Sequence, residues 1–362
     1  FKVGLAQRGQ KGVKQLKLVQ LFVAILQTLK SALLLLQAAE HSQALEDVIV
    51  LSRVEIIVKQ ILKNLENLRV RKYSSKYSKK IFNNWIHIVL LALRQRMDKS
   101  YREFTDILEV CTEILNLLGI NKAPHFTTLQ KATKRLRVSF LERIMNGFIL
   151  LTMTVCVRTG IDSTGFQLTR ASAHYTKVLK KDKKKLRRIK KYLKLTTFID
   201  LDTQLIISQK IRRSPANDSP DFKPTIRKGK EILDKAGKKA KSCDGDKGYD
   251  SEENHKIVVE YLKAEDRIRL KYRDKPVHRT RGEHRKKAKR RINKLRANYR
   301  SKNETVFSVI KRVQGSMIRS RNVSMQNKEL LFKEIAYNAS RLIKNIILYR
   351  GFLQSQKSKR FI

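Results

Sequence analysis

Residues 192–211 read YLKLTTFIDLDTQLIISQKI. Two runs rich in apolar and β-branched residues, 192–199 and 204–211, flank the tetrad Asp200-Leu201-Asp202-Thr203. Strand-like runs on either side of a short, Asp-rich connection predict a β-hairpin. Before the hairpin, 155–161 is a short apolar run ending at Asp162. After it, 220–236 carries a helical pattern, 239–243 is strand-like, and the turn Asp244-Gly245-Asp246-Lys247-Gly248-Tyr249-Asp250 comes next. Asp250 and Glu253 have capping-box spacing and open a helix to about residue 262. Residues 267–272 read as another strand, and the chain ends in two helices. Strands and helices in this alternation make a mixed α/β domain.

The residues before about 150 differ in character. They hold few glycines and look helical throughout. In 16–36, the apolar positions Leu18, Phe22, Ile25, Leu29, Leu33 and Leu36 recur at three- and four-residue steps, while Lys17, Gln20, Gln27 and Lys30 argue against a membrane span. Ser100 and Glu103 form a capping-box spacing that opens a helix over 101–118, and Gly119 offers a C-cap. Thr127 and Gln130 repeat that spacing ahead of a helix over 129–137, which exposes Gln130, Lys131, Lys134, Arg135 and Arg137. A helix, a turn and a second helix with a basic, amide-bearing face suit a helix-turn-helix DNA reader. A plain helical hairpin with a solvated face satisfies the same pattern. The fold expected is therefore a mixed α+β chain. It has a helical N-terminal region and a mixed sheet flanked by helices, in an order that resembles a ribonuclease-H-like core.

The chain has 362 residues, with 81 Lys+Arg against 32 Asp+Glu, a formal charge of +49. With 41% hydrophobic residues it can bury a core, which excludes a wholly disordered basic tail. Self-repulsion at that charge opposes compaction, so a polyanionic partner is the economical explanation. Cys111, Cys156 and Cys243 show no paired spacing, which argues against a disulfide framework or a zinc site and favours a reducing compartment.

Acidic residues inside so basic a domain need a reason. Asp162 ends one strand-like run, and Asp246 comes after another across a glycine-containing turn, with Asp244 as its competitor. Carboxylates at strand ends can converge on one sheet edge, where a divalent cation relieves their repulsion. Mg²⁺ suits oxygen ligands and phosphate, and two ions about 4 Å apart serve phosphodiester cleavage. In the helix that starts near Ser301, Arg300, Glu304 and Lys311 fall within about 60° of one another at about 100° per residue. A carboxylate there can supply a third ligand, with the cations on phosphate. Taken singly, each acid also reads as a turn, cap or helix-dipole residue.

The strings GIDSTGF (160–166), DGDKGYDS (244–251) and R-x3-E-x6-K (300–311) resemble, in order, the three catalytic boxes of prokaryotic insertion-sequence DDE transposases with the tyrosine-arginine-glutamate-lysine signature. Ser100-Tyr101-Arg102-Glu103 with Thr127-Thr128-Leu129, and Glu334-Ile335-Ala336-Tyr337-Asn338, are similar to that family's N-terminal DNA-binding region and terminal helix. The resemblance spans roughly 75–345. It implies Asp162, Asp246 and Glu304 as the catalytic, metal-binding triad, holding Mg²⁺ as a pair of ions, with Mn²⁺ as a substitute. It implies Arg300 and Lys311 as DNA contacts near the scissile phosphate, with Lys247 and Tyr249 added from the second box. The family's tyrosine falls at Ala297 here, a departure that leaves a decayed, non-catalytic copy as one alternative. A nuclease or resolvase that cuts without joining is another.

The resemblance further implies cleavage at the element's terminal inverted repeats and strand transfer to target double-stranded DNA. It implies a homodimer on paired ends, no membrane partner and a cytoplasmic, nucleoid-associated site. The domains expected are a helical region over 1–72, a helix-turn-helix-like DNA-binding region over 73–150, a ribonuclease-H-like catalytic domain over 151–349 and a basic tail over 350–362. Two basic runs fit this scheme. Residues 177–194 hold 11 Lys/Arg and one acid, with Lys184 and Arg187 as candidate DNA contacts, and 267–302 hold 17 Lys/Arg and two acids. Solvated charge runs account for the same composition. His174 and His255 come after catalytic boxes, but the histidines share no metal-ligand spacing and read as ordinary surface or cap groups.

Overall fold

The computed structural model describes residues 53–77, 80–168, 192–213, 217–271, 275–292 and 300–358, without side-chain placement at 292, 300–301 and 343–358. The helix expected over 16–36 and the basic-run residues Lys184 and Arg187 lie outside the described residues, as do His174 and Ala297. The chain divides into two units, Phe1–Ile56 and Ile57–Ile362, and the second holds the sheet and nearly all of the described helices.

Among the described residues six helices come first: α1 (Arg53–Asn67), α2 (Asn84–Arg96), α3 (Tyr101–Val110), α4 (Thr112–Leu117), α5 (Phe126–Arg135) and α6 (Val138–Gly147). The Ser100–Glu103 capping box forms in full, with both reciprocal hydrogen bonds. Gly119 adopts φ +64°, the left-handed conformation of a helix stop. The single helix expected over 101–118 is interrupted at Cys111 (ψ 71°), between the β-branched Val110 and Thr112. The capping box expected at Thr127 does not form. His125 is the cap residue and its ring Nδ1 holds the Thr127 hydroxyl at 2.8 Å, so α5 starts at Phe126 and leaves Arg137 outside.

After a 3₁₀ turn, Phe148–Leu151, the sheet begins with β1 (Cys156–Gln167). It continues with β2 (Tyr192–Asp200), β3 (Ile206–Arg213), β4 (Lys239–Gly245) and β5 (Glu265–Ile268), in the order β3-β2-β1-β4-β5. The first three strands are antiparallel neighbours, and β1, β4 and β5 are parallel. The helix α7 (Ser219–Lys235) joins β3 to β4, and α8 (Glu252–Lys256) with a π turn at Ile257–Tyr261 joins β4 to β5. Then come α9 (Glu283–Ile292), α10 (Arg300–Gln314) and α11 (Val323–Ser358).

Several strand and helix limits differ from expectation. β1 does not end at Asp162, because β2 holds it by antiparallel pairing as far as Gln167↔Tyr192. The cap of α8 is Ser251, whose hydroxyl accepts from the Asn254 N–H, because the carboxylate of Asp250 is engaged elsewhere. β5 lies two residues earlier than its predicted start.

The sheet is covered on both faces. Phe198 and Ser208 meet Gly229 of α7 on one face. On the other, Gln209 donates to Glu142 of α6 at 2.9 Å. The helix α11 closes that side. Asn338 accepts from the Ile206 N–H and donates to the carbonyls of Ile206 and Met145, while the Tyr337 hydroxyl donates to the Gln204 carbonyl. α2 is buried from Ile86 to Gln95, as expected of a helix packed on several sides. Among the described residues no helix is long and apolar enough to cross a membrane.

Candidate active site

In the parallel pair β1–β4 the last rung is Ile161↔Gly245. Asp162 and Asp246 are the next residue on each strand. Asp246 is still extended (φ −78°, ψ 168°), before a 3₁₀ turn over Lys247–Tyr249. Side chains alternate along strands, so the two acids share a face at the carboxyl edge of the parallel strands, the edge where open α/β sheets bind ligands. Asp162 is half-buried and accepts the Ser163 N–H at 2.8 Å.

α10 lies on that face. A Cβ on Gly160 would come within 2.8 Å of the side-chain ends of Asn303 and Leu201, so Asn303 of α10 packs directly over the strand at this glycine. Further along, Lys311 Nζ donates to Thr164 Oγ1 at 2.6 Å. From Asn303 to Lys311 the helix rises about 12 Å, and from Gly160 to Thr164 the strand advances about 13 Å. The helix therefore runs along β1, with Asp162 beneath its middle. Lys302 reaches Asp202, at the β2 end of the sheet, at 3.9 Å. Glu304 is exposed and lies about 20° round the helix from Lys311.

Sheet and helix thus bring Asp162, Asp246, Glu304 and Lys311 to one side. The donors are carboxylate oxygens, which suit a hard divalent cation. Asp162 and Asp246, neighbours at the ends of adjacent parallel strands, supply two such donors. Among the described residues no three His, Cys, Asp or Glu side chains are close enough to hold an ion together.

Asp244 also shares this face, in register with Gly160 and Arg267. Burial pushes its carboxyl up to about 6 against the pull of Arg267, and its Oδ2 has no hydrogen-bond partner among the described residues. Burial also lowers the Lys311 ammonium, which lies 5.5 Å over the Phe166 ring.

The other expected contacts separate. Arg300 is the first residue of α10, and Lys247 is exposed on the turn after Asp246. Tyr249, expected to touch DNA, is instead 1% exposed. Its hydroxyl meets Ser163 Oγ at 2.6 Å and its ring packs on Phe222, so it is a core residue that pins the turn. Gln130, Lys131, Lys134 and Arg135 are all exposed on α5. The Lys134 carbonyl accepts from Lys328 Nζ at 2.8 Å, anchoring α5 to α11.

His255, which reads as ordinary in sequence, lies fully buried between two acids. Its Nδ1 is 2.5 Å from Asp266 Oδ2 and its Nε2 is 3.2 Å from Asp250 Oδ1. Ionised carboxylates only accept hydrogen bonds, so both ring nitrogens donate and the ring is an imidazolium. Burial pulls its pKa down, but the hydrogen bonds and charges of Asp250 and Asp266 outweigh it and raise the value to about 9. Neither acid lies near His255 in a local sequence pattern, so only the fold reveals the contact.

This buried charge makes stability depend on pH. The folded pKa exceeds the ordinary 6.5, so the stabilisation is full below about pH 6.5 and is lost as pH rises through about 9. At about 1.4 kcal/mol per pH unit, its ceiling is about 3 kcal/mol. Urea unfolding at pH 6 and pH 10 should show wild type losing more stability than His255→Gln. Equal losses would sink the imidazolium assignment. Comparing the two chains removes the effect of the overall positive charge, whose self-repulsion eases as pH rises.

Two solved transposase complexes are among the structures that align with this chain. A piggyBac transposase synaptic complex with hairpin DNA aligns at TM-score 0.43 and 10% identity, covering 82% of this chain and 73% of that one. A Drosophila P element transposase strand transfer complex aligns at TM-score 0.29 and 10% identity, covering 80% of this chain and 86% of that one. No curated protein matches the chain. The family model of the transposase DDE domain matches residues 158–339, half of the chain, from β1 through Ala339 of α11. By that match the chain belongs to the transposase DDE domain family.

Proposed function

We propose that this chain is a DNA transposase that cleaves DNA at the ends of its own element and joins the freed ends to target DNA. The observation that carries this reading is that Asp162 and Asp246 lie side by side, one residue past the last β1–β4 rung, on the sheet face that α10 crosses with Glu304 and Lys311. Asp162 and Asp246 would hold Mg²⁺, or Mn²⁺ in its place, with Glu304 as the further carboxylate of the set. A divalent ion held there would supply Lewis-acid stabilisation of the charge that develops on the reacting phosphate.

The chain's own groups do the rest. The carboxylate of Asp162 is aimed by the Ser163 N–H, and Tyr249 in the core fixes the turn that carries Asp246. Lys311 and Arg300 meet phosphate oxygens near the scissile bond. In the first step water bonds to phosphorus at the element's end and the 3′ oxygen leaves as a hydroxyl. In the second, that hydroxyl attacks a target phosphodiester and the target's own 3′ oxygen leaves.

The region 73–150 reads the element's end through α5, and residues 151–349 carry the chemistry. Two copies on paired ends form the working assembly, and light scattering of a complex with two end fragments that gives a single protomer would exclude it.

The test is a nicking and strand-transfer assay on DNA carrying the flanking sequences of the gene, with Mg²⁺ and then Mn²⁺, against a chelator control. Metal-dependent nicks and joined products are expected. Nicks without joining would point to a nuclease, and tight binding without product to a decayed copy.

A further inference from the structure

The most densely hydrogen-bonded acid among the described residues outside the site is Asp250, four residues past Asp246. Its Oδ1 accepts from Arg285 Nε at 2.7 Å and from His255 Nε2 at 3.2 Å. Its Oδ2 accepts from Arg285 Nη2 and from the Lys271 N–H, each at 2.8 Å. The Arg285 contact is a two-pronged fork, the strongest geometry available to an arginine and a carboxylate. The backbone of the same residue closes the turn, with Tyr249 N–H on the Asp246 carbonyl and Asp250 N–H on the Lys247 carbonyl.

Arg285 belongs to α9, and a second acid fixes that helix. Glu252 caps its first turn, accepting from the His284 N–H at 2.9 Å and the Arg285 N–H at 3.1 Å. The chain enters through Gly282 at φ +90°, where a Cβ would collide with Glu252 at 1.9 Å. α9 reads EHRKKAKRRI, and Lys287, Arg290 and Arg291 are exposed. These three sit at i, i+3 and i+4, one stripe of the helix, and Arg285 lies about 160° away from its centre, facing inward. So one face of α9 grips Asp250 and the opposite face presents three cations to solvent.

We propose that Asp250, with Arg285, His255 and Glu252, is a positioning clamp that joins the Asp246 turn to α9, so that the acid turn and a phosphate-gripping basic stripe move as one unit on nucleic acid. The partner of the stripe is a phosphodiester backbone, and this part rests on the transposase reading. Arg285 is a positioning residue. It acts through Asp250 and touches neither metal nor DNA.

The experiment uses the full chain and three readouts: amide hydrogen exchange, the salt dependence of DNA binding and single-turnover cleavage at saturating DNA. In Arg285→Met, exchange at Tyr249, Asp250 and Lys271 should quicken about tenfold or more, and cleavage should fall by a similar factor. Its salt slope should change by less than about one, because no phosphate contact is lost. Arg285→Lys keeps the charge without the fork and should fall between. The pair Arg290→Gln and Arg291→Gln should lower the salt slope by about two and leave the exchange of those amides unchanged.

Equal exchange in wild type and Arg285→Met overturns the clamp, and so does an Arg285→Met salt-slope loss as large as that of the stripe pair. If Arg285→Met does not fold, Asp250→Asn tests the same exchange prediction. A wild type that binds but never cleaves refutes the transposase reading alone, since exchange and salt slope still decide the clamp.

Discussion

Asp162→Asn and Asp246→Asn should each lower DNA cleavage by about a thousandfold or more and leave DNA affinity nearly unchanged. The size comes from what a lost carboxylate does at a divalent site. Stabilising the charge that develops on phosphate is worth several kcal/mol, and each 1.36 kcal/mol is tenfold in rate. Asn is close to Asp in shape and its amide oxygen still accepts the Ser163 N–H, so Asp162→Asn keeps the strand and changes the charge. Glu304→Gln is expected to cost less. Its side chain is exposed on α10, and Asp162 and Asp246 remain as a pair. Affinity holds because one carboxylate more or less matters little to a chain at +49. Single-turnover cleavage with fluorescence-anisotropy binding separates the two effects. Asp244→Asn belongs in the same series, since Asp244 shares the face and stands two residues from Asp246. If Asp244→Asn removes cleavage and Asp246→Asn does not, the second acid of the site is Asp244.

What could be read in the sequence was local. The hairpin over 192–211 announces itself because alternation and turn chemistry sit within one short window, and it forms as β2 and β3, with β3 starting two residues later than its predicted start, at Ile206. The Ser100–Glu103 box is likewise a three-residue signal, and both of its hydrogen bonds form. What was not legible depends on partners far along the chain. The length of β1 is set by β2, some thirty residues on, so nothing near Asp162 says that the strand continues to Gln167. Thr127 carries the spacing of a cap, yet a neighbouring histidine takes its hydroxyl.

The aromatic ring of Tyr249 reads as a contact for DNA, but the 3₁₀ turn after Asp246 aims it at Ser163 and Phe222 in the core. The clamp is the clearest case. Asp250, Glu252, His255 and Arg285 come from a turn and two helices, and no periodicity joins Arg285 to the other three. For the candidate site, order along the chain pointed to Asp162, Asp246 and Glu304. Only the β1–β4 register and the path of α10 bring them to one side of the sheet.

DNA affinity should fall about a thousandfold between 50 and 200 mM salt. The described residues offer two exposed basic stripes, Lys131, Lys134 and Arg135 on α5, and Lys287, Arg290 and Arg291 on α9. Six phosphate contacts give a slope of about −5 in log affinity against log salt. Over a fourfold change in salt that slope is roughly three decades. Replacing either stripe by glutamine should flatten the slope by about three, because each removes the same number of contacts.

The two stripes should differ in what they recognise. α5 also carries Gln130 beside Lys134 and Arg135, and amide and guanidinium groups can read base edges in the major groove. Loss of the α5 stripe should therefore weaken binding to the element's ends more than to random DNA, and so lower the ratio between them. α9 offers only cations, which grip phosphate without regard to sequence, so its loss should weaken both DNAs alike. Anisotropy titrations of each variant on both DNAs at four salt concentrations decide this. A wild-type slope near zero would remove the case for DNA as the partner of this charge. An unchanged ratio after loss of the α5 stripe would make that helix a second backbone grip, and the reading of the element's end would then have to come from elsewhere in the chain.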